Sequence, residues 1–298
     1  MPSPTHLLNL VAAESAAPLD GRTLALVAAH NFPVAEPRWL SPARACDLPL
    51  DGAPPADAVA GLREALSAAQ VDVNAVAVAN RRKRLLVADM DSTMVEQETL
   101  DELAAAVGVK DAVAAITARS MAGELDFSAA LRERIAMMAG TPRAAIDALA
   151  AALTFVPGGA TLVATMRANG AHTALVTGGF VEIAGRSARA LGFDDFQANR
   201  FLFADDRIVG VAEPILDRDA KLSALQRQAA ARGLAPADAL AVGDGANDVA
   251  MLRAAGLGVA FRGKAIVRSQ VAVQVNHSDL TALLYLQGYS DAEFTRPT

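Results

Sequence analysis

Apolar and polar positions fall into three rhythms along the chain. Over residues 1–80, short apolar runs alternate with turn-rich stretches. LLNLVAA (7–13) predicts a strand, GRTLALVAAHN (21–31) a helix, and WLSPARACDLPL (39–50) one or two strands. DAVAGLREALSAAQ (57–70) predicts a helix and VDVNAVAVA (71–79) a strand, so the order is roughly βαββαβ. Residues 97–156 change to apolar spacings of three and four. Helices are expected at 100–108, 111–121, 127–138 and, after the Thr141-Pro142 start signal, 143–153, with Gly108, Gly123 and Gly140 between them.

From Pro157 onward strands and helices alternate. TLVATMRANG reads as a helix, HTALV as a strand and VEIAGRSARALG as a helix, and apolar runs recur at 239–243 and 257–261. With the short apolar run Leu85-Leu86-Val87-Ala88, this alternation predicts an α/β fold, a parallel sheet flanked by helices. The helical stretch 97–156 is then an insertion after the first core strand, placed as a lid would be. The expected division is 1–80, a core of 81–96 plus 157–298, and a cap of 97–156.

Ligands in such sheets bind beyond the carboxyl ends of the strands. Asp89 and Asp91 follow the run at 85–88, Thr177, Gly178 and Gly179 follow HTALV, and Asp244, Asn247 and Asp248 follow LAVG. Lys221 lies between the last two in chain order. Two acidic groups at the end of a buried strand repel unless a cation or a proton intervenes. Hard oxygen donors without histidine or thiolate suit Mg²⁺. Glycines let backbone N–H groups approach an oxyanion, and a lysine adds a point charge. Each motif alone reads as a turn, a cap or a surface charge, but their joint order points to phosphoryl chemistry.

Composition removes other classes. The balance of 27 basic against 33 acidic residues offers no broad basic surface, so neither nucleic acid nor an anionic membrane is an expected partner. The basic run Arg81–Arg84 reads as a solvated linker. No apolar stretch approaches the roughly 18 residues that span a bilayer. The single cysteine, Cys46, fits a reducing compartment, and a cytoplasmic location is expected.

DMDST, VTGGF, Lys221 and GDGANDVAML resemble the four motifs of the haloacid dehalogenase-like phosphatases, and the run from 85 to about 290 resembles the phosphoserine phosphatases among them. The resemblance implies a Rossmann-like core with a helical cap and Mg²⁺-dependent hydrolysis of phosphoserine, the last step of serine biosynthesis. It implies Asp89 as nucleophile and Asp91 as acid and base. It places Mg²⁺ on Asp89, the Asp91 carbonyl and Asp244, with Asp248 supporting. Thr177, Gly178, Lys221 and Asn247 would hold the phosphoryl group. In the cap, Glu98 would take the substrate ammonium and Arg134 its carboxylate, with Met121 and Phe127 as the apolar wall. The family more often has serine where this chain has Thr177.

Residues 1–80 resemble the ferredoxin-like ACT modules, which implies a small α+β N-terminal domain and a route to a homodimer. GVAFRGKA (258–265) approaches a P-loop, but Ala265 stands where a hydroxyl should bind metal, so it reads as a strand and exit loop around Lys264. Two rival functions remain: action on another small phosphate ester such as phosphohomoserine, and an amino-acid sensor with weak activity.

Overall fold

The computed structural model describes residues 4–121 and 124–297. The N-terminal elements are β1 (His6–Ala12), α1 (Gly21–Ala29), β2 (Arg38–Ser41), β3 (Ala45–Leu50), α2 (Ala56–Ser67) and β4 (Val71–Ala77). The stretch 39–50 thus forms two strands, because the turn between them puts Ala43 at φ +55°. The strands form an antiparallel sheet in the order β2-β3-β1-β4. Alternation gives the sheet two faces. Leu8, Leu10, Leu48 and Val73 bury one face with Val27, Leu62 and Leu66 of the helices. Asn9, Asp47, Asp72 and Asn74 occupy the other and are also buried.

That polar face meets the rest of the molecule. Arg81 grips Asp47 with two hydrogen bonds of 2.7 Å and donates to the carbonyls of Leu286 and Tyr285. The Asp72 carboxylate accepts the N–H groups of Asn276, His277 and Ser278. Asn74 donates to the Gln274 carbonyl and accepts the Gln274 N–H, both at 2.8 Å. Arg81, read from sequence as part of a solvated linker, is instead part of this seam.

Next come β5 (Leu85–Ala88) and the helices α3 (Thr99–Ala106), α4 (Lys110–Met121), α5 (Phe127–Met137) and α6 (Arg143–Ala151). The chain then alternates through α7 (Gly159–Ala168), β6 (His172–Phe180), α8 (Val181–Leu191) and β7 (Asp195–Asn199). A hairpin, β8 (Phe201–Ala204) and β9 (Arg207–Val211), precedes α9 (Arg218–Ala230), β10 (Ala239–Gly243), α10 (Val249–Ala254) and β11 (Leu257–Phe261). The chain closes with α11 (Ala265–Arg268), β12 (Val273–Val275) and α12 (Ala282–Leu286).

The six-stranded sheet is parallel throughout, in the order β12-β11-β10-β5-β6-β7. Its central strands β5, β10 and β11 are apolar on both faces, as strands covered on both sides require. Leu85 and Val87 pack with Leu225 and Met251, while Leu86 and Ala88 join the core shared with Leu162, Ile183 and Leu283. From β5 the chain builds outward through β6 and β7, then crosses to place β10 on the other side of β5. The carboxyl ends of β5 and β10 therefore flank the topological switch point, where a crevice opens.

The hairpin was not anticipated. Asp205 and Asp206 make its turn at φ +46° and +57°, a conformation that short acidic side chains tolerate. It braces the cap: Ile208 N–H donates to the Thr141 carbonyl at 2.9 Å, and Gly140 N–H to the Ile208 carbonyl at 2.8 Å. Two strands outside residues 97–156 thus support the cap helices. The two connections to the cap run side by side, with Val156 N–H donating to the Met94 carbonyl and Glu96 N–H to the Thr154 carbonyl.

Candidate active site

The chain turns sharply after β5. Met94 and Val95 both donate to the Met90 carbonyl, and Ser92 adopts φ +54°. The turn leaves Asp89 at the strand end and sends the chain up to Glu98, directly before α3. Asp89 is 5% exposed, as is Asp244 at the end of the adjacent β10. Thr177, Gly178 and Gly179 were expected after a strand. They lie instead within β6, in an irregularity where pairing to β7 skips from Val176 to Phe180. The bulge frees their backbone from the ladder. Thr177 Oγ1 accepts the Gly179 N–H at 2.9 Å, and Asn199 anchors the Gly178 carbonyl at 2.8 Å.

These ends line a crevice of about 290 Å³ that also receives Glu98, Phe127 and Arg134 from the cap. A Cβ built on Gly178 would stand 3.5 Å from Cζ of Phe127, so the cap closes directly over the bulge. Asn247 lines the same crevice. Met121 ends α4, and its side chain lies outside the described residues. Sequence reasoning missed several neighbours, among them Asp101, Thr117 and Lys264 on the crevice wall, and Thr99 behind Asp91. Thr99 had a readable signal, since it opens the helix immediately after Glu98.

Lys221, from α9, is buried between two carboxylates, with Nζ 2.6 Å from Asp89 and 2.5 Å from Asp248. Burial alone would lower its pKa, yet Asp248 and Asp89 raise it, so the ammonium is firmly charged. Asp248 is held in turn by the Gly245 N–H at 3.0 Å. A side chain at Gly243 would fall on the Asp248 carboxylate, which explains the glycine at the end of β10.

The carboxylates feel their crowding. Burial, then the Asp248 charge, push Asp89 well above the usual range against the pull of Lys221. Burial and the Glu98 charge push Asp91 up to about 7, opposed by hydrogen bonds from the Thr99 hydroxyl (3.2 Å) and N–H (3.3 Å). Asp244 is raised by burial and partly relieved by Lys264. Oxygens of Asp89, Asp244 and Asp248 all lie within 4.8 Å of one another. Three buried hard-oxygen donors whose carboxyl groups are already crowded fit a dication such as Mg²⁺. The Asp91 carboxylate stands apart from this cluster, engaged by Thr99.

Arg134 differs from the other charges of the crevice. Its Nε is buried and has no hydrogen-bond partner. Burial depresses its pKa, while Asp101 and Glu98 oppose the shift. A planar guanidinium enclosed beside a crevice with its Nε unpartnered has a donor left for a carboxylate. Glu98, by contrast, is exposed and accepts from Ser92 Oγ at 3.0 Å.

Comparisons with known proteins converge on one family. The haloacid dehalogenase-like hydrolase family matches residues 86–253, more than half of the chain. A curated protein of Streptomyces coelicolor named phosphoserine phosphatase is 41% identical over 226 residues, 75% of this chain and 55% of the relative. The chain therefore spans about half the length of that relative, and the same 55% holds for the Mycobacterium tuberculosis relative. A phosphoserine phosphatase of Lactococcus lactis is 37% identical, with 71% of this chain aligned to 99% of the relative. Among solved structures, a HAD family hydrolase from Salmonella enterica serovar Typhi superposes with a TM-score of 0.85 at 29% identity, covering 95% of this chain and 98% of the other. A phosphoserine phosphatase captured as a phospho-aspartyl intermediate analogue gives 0.63 at 33% identity, over 68% and 98%. With acidic strand ends at the switch point of a parallel sheet, a family match over more than half of the chain, and a 37% identical relative matched over 99% of its length, the chain belongs to the haloacid dehalogenase-like hydrolases.

Proposed function

We propose that this protein hydrolyses O-phospho-L-serine to L-serine and inorganic phosphate, as the last step of serine biosynthesis. Asp89 attacks phosphorus, so an Asp89 Oδ–P bond forms as the bond to the seryl oxygen breaks. Asp91 gives its proton to the departing seryl oxygen. It then takes a proton from the water that attacks the aspartyl-phosphate, and phosphate leaves Asp89. A carboxyl group pushed up to about 7 suits both duties near neutral pH.

Thr177 and the Gly178 N–H hold phosphoryl oxygens, and Asn247 orients them. Lys221 balances charge on Asp89. Asp89, the Asp91 carbonyl and Asp244 would hold Mg²⁺, with Asp248 supporting, and the ion would neutralise charge on the transferring phosphoryl group. Arg134 takes the substrate carboxylate, Glu98 its ammonium, and Phe127 forms the apolar wall. The observation that carries this reading is the partnerless Nε of Arg134 in the crevice that holds Asp89 and Glu98. A phosphate ester without a carboxylate leaves that donor unused.

Residues 1–80 form an ACT-like module in this proposal, joined to a core of 81–96 and 157–298 and a cap of 97–156. The strand order β2-β3-β1-β4 with two helices on one face supports the first assignment. Self-association through this module is part of the proposal, supported by Trp39, 43% exposed on the outermost strand β2. A cytoplasmic site of action is supported by the free thiol of buried Cys46. No helix among the described residues is long and apolar enough to cross a membrane.

The test is phosphate release from phosphoserine, phosphothreonine, phosphohomoserine and sugar phosphates, with Mg²⁺ and with EDTA. Metal-dependent preference for phosphoserine is expected. Preference for another ester would overturn the substrate, and no turnover of any ester would overturn the enzyme reading.

A further inference from the structure

Among the described residues, Lys264 is the one cation of the crevice to which neither the motifs nor the proposed mechanism gives work. Its place is fixed by the backbone. Arg262, at φ +44°, bonds its N–H to the Val275 carbonyl at 2.7 Å, and the chain turns through Gly263. The Lys264 N–H then donates to the Asp244 carbonyl at 2.9 Å, tying this loop to the end of β10. From that anchor the side chain reaches back across the crevice mouth. Nζ lies 3.1 Å from Asp244 Oδ2 and 3.3 Å from Glu98 Oε1. One ammonium thus bridges a core carboxylate and a cap carboxylate. The side chain is 61% exposed, so it can swing into solvent without unpacking anything.

The two carboxylates have different tasks in the function proposed above, on which this inference rests. Asp244 belongs to the cluster suited to a dication, and Glu98 faces the substrate ammonium. Each incoming cation must share its carboxylate with Lys264. Because a single Nζ serves both, whichever cation arrives first loosens Lys264 from the other carboxylate as well. Binding at one site then favours binding at the other, and linkage makes the effect reciprocal.

We propose that Lys264 is a tethered competitor cation: a positioning residue that weakens metal binding at Asp244 and ammonium binding at Glu98 and, by bridging them, couples the two. It touches neither reacting atom. Its work is to make the metal and the amino-acid substrate assemble together.

The experiment measures Mg²⁺ binding by calorimetry to wild type, Lys264→Met and Lys264→Arg. Each is titrated with and without the phosphonate analogue of phosphoserine, in which a methylene replaces the bridging oxygen. Wild type should bind Mg²⁺ more tightly when the analogue is present. Lys264→Met should bind Mg²⁺ alone about two- to fivefold more tightly, the range set by loss of a solvent-exposed ion pair. The gain in Mg²⁺ affinity on adding the analogue should be smaller than in wild type, the remainder coming from the phosphonate beside the ion. Lys264→Arg keeps the charge and should retain the coupling. Unchanged or weaker Mg²⁺ affinity in Lys264→Met, or full coupling without the ammonium, would overturn the proposal. Phosphoserine turnover is followed on the same samples, so failure of the substrate reading is told apart from failure of this one.

Discussion

Two regions of this molecule bury charge, and they do so in opposite ways. At the seam between the N-terminal sheet and the core, the buried carboxylates are matched, although Arg44 Nε and Nη2 and Asn9 Oδ1 find no hydrogen-bond partner. Asp47 receives both arms of Arg81, Asp72 receives three backbone N–H groups, and Asn74 and Gln274 satisfy one another. At the crevice the carboxyl groups of Asp89, Asp91 and Asp244 are pushed above their usual range, and the Nε of Arg134 has no partner. Carboxylates paired in this way hold a shape, because removing one partner strands the other in a low dielectric. An unsaturated cluster has capacity left for a ligand. The same residue types thus mark structure in one place and binding in the other.

That contrast is breakable by substitution. Asp89→Asn should lower phosphate release by at least about 10³-fold, since loss of the proposed nucleophile removes the pathway rather than a share of it. Its denaturation midpoint should hold or rise, because a raised carboxyl beside Asp248 no longer has to ionise. Asp47→Ala should do the reverse. Stranding Arg81 is expected to cost about 3–5 kcal/mol of stability, read from urea unfolding, while kcat of the folded fraction stays within twofold. A fall in kcat as deep as that of Asp89→Asn would collapse the distinction between the regions.

Arg134→Ala should raise KM for phosphoserine by roughly 10- to 100-fold, the worth of hydrogen bonds to a charged group. Turnover of a phosphate ester lacking a carboxylate should hardly move. Equal losses on both substrates would place Arg134 with the structural charges. The smallest effect is expected from Thr177→Ser, which keeps the hydroxyl that accepts from Gly179 N–H. Steady-state constants within about threefold of wild type would match the loss of one methyl group.

Much of this was readable in the chain. Asp89, Asp244 and Thr177 stand out because each ends or interrupts an apolar run, and a parallel sheet brings such ends together. The cap helices were legible from their apolar spacing. The hairpin at 201–211 was not, although FLFA and RIVGV flank an Asp-Asp turn, because two short strands outside a main sheet leave a weak periodic signal. Lys264 was hidden for another reason. Its neighbours read correctly as a strand and an exit loop, and nothing local says that the loop folds back onto Asp244. The seam residues were the least legible. Asp72 and Asn74 alternate with valines as solvent-facing residues of a half-exposed strand do, and only the tertiary fold buries them.

The pairing of Asn74 with Gln274 has a consequence for solubility. β12 is the last strand of the six-stranded sheet, and such a strand offers unpaired N–H and C=O groups to any passing chain. The Asn74 amide engages one such pair, and the Asp72 carboxylate takes the N–H groups just beyond it. The N-terminal segment therefore works as a built-in guard against edge-to-edge stacking. Expressed without residues 1–80, the remaining chain would keep its crevice but expose a sticky margin, with self-assembly rather than lost chemistry as the first visible defect.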